Sequence, residues 1–149
     1  MQVMIIEDNP VFLRSLSAML LQHFPFLNIV SASNPEEADA LLAVNLPELV
    51  FLDVRLGNQS GLDLISKIKT RNAATAVIVL TSFNLPEYRT KALADGADYF
   101  FTKDVSACDI VECISRDFFC QSMHQPSPPP EVSVQELEPP QDLRRGSSY

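Results

Sequence analysis

The feature that most constrains this chain is a repeated alternation. Short apolar runs, each ending on a polar or ionisable residue, are separated by segments whose apolar residues recur at helical spacing. Val3 to Ile6, Leu49 to Leu52 and Ala76 to Leu80 are β-branched or leucine-rich and too short for helices. Such runs read as strands covered on both faces, as in a parallel sheet. Asn28 to Ala32 and Tyr99 to Phe101 add two weaker strands. Between them, Phe12, Leu16, Met19 and Leu20, then Ala38, Leu41 and Leu42, then Leu62, Ile65 and Ile68 lie on helical stripes. Asn9-Pro10 and Asn34-Pro35 place a capping side chain before proline at the first helical position, and Gly96 follows Tyr88 to Asp95 as a helix stop. Ala107, Val111, Ile114 and Phe118 mark a fifth helix. Five β-α pairs joined by right-handed crossovers imply an α/β fold, an open, doubly wound parallel sheet.

Composition narrows function. A net charge of −8 disfavours a nucleic-acid surface, because affinity for the phosphate backbone comes from clustered Lys and Arg. No stretch approaches the ~20 apolar residues of a membrane span, and the first acidic pair follows one short apolar run, so a cytoplasmic protein is expected. Cys108, Cys113 and Cys120 fit neither a disulfide framework nor a zinc site and are expected to be buried thiols. Six of the eleven prolines fall between Pro126 and Pro140, among Ser, Glu and Gln, so residues 1–120 are expected to form the domain and 121–149 a disordered proline-rich tail.

Ligands of open α/β sheets bind beyond the carboxyl ends of the strands. The first run ends in Glu7-Asp8, the third in Asp53 and the fourth in Thr81-Ser82, while the fifth reaches Lys103. If those strands are neighbours, three carboxylates, a hydroxyl and an ammonium share one edge. Close carboxylates repel by about 4 kcal/mol at 4 Å and intermediate dielectric unless a cation or a proton intervenes, and a divalent ion is the natural answer. All-oxygen ligands favour Mg²⁺ or Mn²⁺ over zinc. Lys103 and Thr81 can neutralise and hydrogen-bond phosphoryl oxygens, which leaves Asp53 as nucleophile. Taken singly, Glu7 and Asp8 are ordinary helix-start acids and Lys103 a surface lysine; only their shared edge favours chemistry.

These residues, in this order, resemble a response-regulator receiver domain of two-component signalling over the first 119 residues. The resemblance rests on Ile5-Ile6-Glu7-Asp8-Asn9-Pro10, on Leu49-Val50-Phe51-Leu52-Asp53 followed by Gly61, and on Thr81-Ser82, Gly96-Ala97-Asp98 and Lys103. It implies a flavodoxin-like sheet of strand order 2-1-3-4-5. It also implies phosphorylation of Asp53 by a histidine kinase or phosphotransfer protein, and Mg²⁺ held by Glu7, Asp8, Asp53 and the Arg55 backbone carbonyl. Thr81 and Phe100 are the implied switch pair, the ring moving inward on phosphorylation. The implied output surface is the fourth helix, fifth strand and fifth helix, docking a partner protein or a second copy. Phosphotransfer and dephosphorylation would be autocatalytic, without an external substrate.

Gly57 stands where the family often has proline, Phe100 replaces tyrosine, and Asp104 follows Lys103 where a proline with a cis peptide is common. The last change matters most, because a cis peptide without proline costs about 2.5–4 kcal/mol, and the fold is expected to tolerate it. Two alternatives stay open: a degenerate receiver serving as an unphosphorylated scaffold, and a small phosphohydrolase, though the latter commonly carries a second acid where Arg55 stands. With only four glycines and no G-x-G-x-x-G, a dinucleotide site is not expected.

Overall fold

The computed structural model describes residues 1–120; the expected proline-rich tail lies outside the described residues. The main sheet comprises β1 (Gln2–Ile6), β2 (Asn28–Ala32), β3 (Leu49–Leu52), β4 (Ala76–Thr81) and β5 (Tyr99–Thr102). All pairings are parallel and the order is β2-β1-β3-β4-β5, as the resemblance implies. The helices are α1 (Pro10–His23), α2 (Pro35–Val44), α3 (Asp63–Arg71), α4 (Pro86–Ala94) and α5 (Ala107–Ile114). The sheet and the first four helices lie in a compact unit, Met1–Ala107; from Cys108 onward the chain belongs to a second unit.

Strand alternation sends Met4 and Ile6 of β1, Val50 and Leu52 of β3, and Val77 and Val79 of β4 to one face. There they join Ala38 and Leu42 of α2, Leu64, Ile65 and Ile68 of α3, and Ala92 of α4 in one buried cluster. The alternate residues Val3, Ile5, Phe51, Ile78 and Leu80 are equally buried, as are Leu16 and Leu20 of α1. Each fully buried Leu or Ile contributes about 1.5–3 kcal/mol, so a two-faced apolar sheet stabilises the frame.

Both proline-flanked caps form. Asn9 Oδ1 accepts from the N–H groups of Val11 and Phe12, and Asn34 Oδ1 accepts from Glu37. Gly96 ends α4 with φ of +114°. Two clasps, the first of them buried, fasten the opposite edge of the sheet. Thr75 Oγ1 donates to the Pro47 carbonyl at 2.8 Å, and Asp98 Oδ2 accepts from Val77 N and Lys69 Nζ at 2.8 and 2.9 Å.

The fifth helix departs from its expected course. It is α-helical only to Ile114, and Ser115–Cys120 continue as a π-helix, whose wider turn shifts Phe118 off the α-helical stripe. The thiols also divide: Cys113 is buried, whereas Cys108 is exposed because it sits in the solvent-facing first turn of α5.

Candidate functional site

Because β1, β3, β4 and β5 are consecutive in the sheet, their carboxyl ends bring the predicted residues to one edge. Backbone bonds continue the ladder beyond the strands. Asp53 N–H donates to the Ile6 carbonyl at 3.0 Å, Lys103 N–H to the Thr81 carbonyl at 2.8 Å, and Glu7 N–H to the Ala32 carbonyl at 2.9 Å. Glu7, Asp53 and Thr81 are therefore fixed by backbone, and they are 3%, 5% and 0% exposed. Asp8 is exposed at the rim.

The Lys103 ammonium bridges the two buried acids, with Nζ 2.8 Å from Glu7 Oε1 and 2.9 Å from Asp53 Oδ2. Burial, the largest influence on Lys103, acts to lower its pKa, but the hydrogen bonds and charges of Glu7 and Asp53 outweigh it and hold the pKa above the ordinary lysine range. Glu7 is raised above the ordinary carboxylate range, chiefly by burial, with the Asp53 charge adding to the effect and the bonds from Lys103 and Asn9 N–H opposing it. A carboxyl whose folded pKa is raised binds its proton more readily folded than unfolded. Stability therefore rises as pH falls through the folded value towards the unfolded one. Urea unfolding from neutral pH down to about 4.5, the ordinary carboxylate range, is expected to show this slope in the native chain and not in Glu7→Gln. An identical slope in both would locate the titration elsewhere.

Carboxylate oxygens of Glu7, Asp8 and Asp53 lie within 4.8 Å of one another, a donor set suited to a hard divalent ion. Asp8 Oδ2 also accepts from Gly57 N–H at 2.7 Å, and Asp53 Oδ1 from Arg55 N–H at 3.3 Å. These donors sit on a small hairpin, Arg55–Leu56 paired with Gln59–Ser60, which the sequence did not announce. Gly57 begins its two-residue turn with φ of +65°, a conformation proline cannot adopt. This glycine therefore both turns the chain and orients the rim carboxylate.

Other contacts were also not evident from sequence. The Phe12 ring lies 4.5 Å from Lys103 Nζ, and the Arg55 guanidinium lies 4.9 Å from the Phe83 ring. Thr81 Oγ1 accepts from Phe83 N–H at 3.1 Å. Phe100, expected to turn inward on phosphorylation, is already packed in the core at 5% exposure, with the Arg89 guanidinium 5.5 Å from its ring. Asp104 follows Lys103 without a cis peptide; none occurs among the described residues. Beside the acids a groove of about 560 Å³ opens between Ser82, Asn84, Thr102, Lys103 and Asp104.

A buried aspartate at a strand end, two further acids and a bridging lysine thus share one edge of a doubly wound parallel sheet. Comparison with known proteins identifies the family. Residues 3–115 match the response regulator receiver domain model, and the chain belongs to that family, the phosphorylation-switched receivers of two-component systems. It is 32% identical over 109 residues, 73% of this chain and 46% of the relative, to a probable transcriptional regulatory protein, TcrX, of Mycobacterium tuberculosis. The chain thus spans about half the length of that relative. The receiver domain of a DNA-binding response regulator from Colwellia psychrerythraea superposes with a TM-score of 0.72 at 28% identity, covering 77% of this chain and 95% of that one. A response regulator from Burkholderia pseudomallei, solved with a phosphorylated aspartic acid, a calcium ion and citrate, superposes with a TM-score of 0.69 at 26% identity, covering 84% and 75%. Among the described residues no helix is long and apolar enough to cross a membrane.

Proposed function

We propose that Asp53 accepts a phosphoryl group from the phosphohistidine of a sensor histidine kinase or phosphotransfer protein. The observation that carries this reading is the buried Asp53–Lys103–Glu7 bridge on the edge formed by four neighbouring strands. A carboxylate oxygen of Asp53 attacks phosphorus, the P–N bond to the imidazole breaks as the P–O bond forms, and the imidazole leaves with the bonding pair. Lys103 neutralises a non-bridging oxygen and the Thr81 hydroxyl donates to another. Glu7, Asp8, Asp53 and the Arg55 backbone carbonyl would hold Mg²⁺ or Mn²⁺, which would offset charge on the transferred group. The Burkholderia relative, with its phosphorylated aspartic acid and calcium ion, supports both assignments.

The groove beside Lys103 gives a donor side chain access from the Ser82 and Asp104 side. No external substrate is turned over; the chemistry begins and ends on Asp53. The Thr81 hydroxyl and Phe100 relay the charge change to an output surface for a separate protein or a second copy. The acidic, cytoplasmic chain acts through protein contacts, without nucleic acid or membrane, and residues 1–120 are the functional domain, followed by the tail.

The test is intact mass after incubation with acetyl phosphate or phosphoramidate. One added phosphoryl group is expected with Mg²⁺, and none with chelator or in Asp53→Asn. Absence of any gain in folded native protein would make the unphosphorylated scaffold the better reading.

A further inference from the structure

Resting on that phosphoryl-acceptor reading, we infer that Phe12 is a positioning residue for Lys103, its ring face holding the ammonium at the phosphoryl site when the carboxylates change partners. A lysine ammonium has three N–H donors and no acceptor. Two of its contacts are Glu7 and Asp53, and the third described contact is the Phe12 ring, 4.5 Å from Nζ, within the range of cation–π attraction. Both carboxylates are committed elsewhere during function: Glu7 to the divalent ion, Asp53 to phosphorus. The ring alone keeps its charge distribution throughout.

The backbone that carries the ring is itself anchored. Phe12 N–H donates to Asn9 Oδ1 at 3.2 Å, and Asn9 N–H donates to Glu7 Oε2 at 3.0 Å. The capped first turn of α1 thus ties the ring to the acidic end of β1. The Lys103 side chain is only 16% exposed, so water competes weakly for the ammonium. An aliphatic residue at position 12 supplies apolar cover without the negative ring face that attracts the cation.

Phosphoramidate-driven phosphorylation rates of the native chain, Phe12→Leu and Phe12→Tyr test this, together with a metal-free urea-unfolding cycle of Phe12→Leu, Lys103→Met and the double variant. Phe12→Leu is expected to slow phosphorylation about three- to ten-fold, with Phe12→Tyr within about two-fold of native. In the unfolding cycle the two substitutions are expected to be non-additive by a factor of about two to five in the folded-to-unfolded ratio. A native-like rate for Phe12→Leu, an equal loss in Phe12→Tyr, or strict additivity in the cycle overturns the proposal. If the native chain itself takes no phosphoryl group, the acceptor reading fails and the metal-free cycle alone decides whether the ring holds the ammonium.

Discussion

Lys103→Met is expected to lower the unfolding free energy by about 3 kcal/mol in metal-free buffer and to slow phosphoryl uptake at least ~100-fold. The stability loss follows from what remains after the ammonium is gone. The Glu7 and Asp53 side chains are 2% and 6% exposed, so two like charges stay buried with water able to reach little of either. Removing one partner of a buried ionic cluster costs more than the intact cluster contributes, because the desolvation already spent is no longer offset. The loss in rate follows from removing a fixed donor at the position where negative charge accumulates. The two effects separate experimentally. A divalent ion supplies the missing charge to the carboxylates, so Mg²⁺ is expected to stabilise Lys103→Met more than the native chain, by binding the folded state alone. The same ion is not expected to restore the rate, since it does not replace the hydrogen-bond donor that the lysine supplies. Urea unfolding with and without Mg²⁺ and the mass assay check both. A variant as stable as native in metal-free buffer would show that the carboxylates do not depend on the lysine.

The skeleton of this site was legible in the sequence because parallel strands buried on two faces appear as unbroken apolar runs, and the residue ending each run must sit at the sheet edge. Asn9-Pro10 and Asn34-Pro35 gave the helix starts for a local reason, the fit of a capping side chain and a fixed φ. What the sequence could not reveal were contacts made between elements. Phe12 lies on the same helical stripe as Leu16 and Leu20, so spacing alone assigns it to the core; only the approach of Lys103 from β5, ninety-one positions later in the chain, shows its second use. The hairpin after β3 has two residues per strand, too few for any periodicity, yet it orients Asp8 through Gly57 N–H. Phe100 was singled out only by the resemblance, and the approach of the Arg89 guanidinium of α4 to within 5.5 Å of its ring is a contact that spacing does not show. The sign of each perturbed pKa likewise depends on burial against pairing, a balance that residue identity does not contain.

Gly61→Ala is expected to be the most damaging small substitution outside the charged residues, and Gly57→Ala a mild one, although Gly57 has the unusual backbone. A Cβ at Gly61 would lie 2.2 Å from the Asp53 carbonyl oxygen and 3.2 Å from Leu52 Cδ1. The oxygen belongs to a backbone held on both sides: Asp53 N–H bonds to Ile6, and Gly61 N–H bonds to the Val54 carbonyl at 2.6 Å. No flexible side chain can yield, so the Asp53 peptide itself must move. Overpacking of this kind costs about 1–3 kcal/mol or more, and displacing Asp53, the proposed acceptor, costs further. A shift approaching 1 Å reduces rate by about 100-fold. At Gly57 a Cβ meets nothing within 4 Å, so the penalty there is the left-handed conformation alone, φ of +65°, about 1–2 kcal/mol. Phosphoryl uptake in Gly57→Ala should remain within a few-fold of native, because the Asp53 backbone is undisturbed. Uptake rates measured on both variants, with urea midpoints alongside, distinguish close approach from backbone conformation. Equal loss of uptake in the two would show instead that the hairpin geometry, acting through Asp8, limits the site.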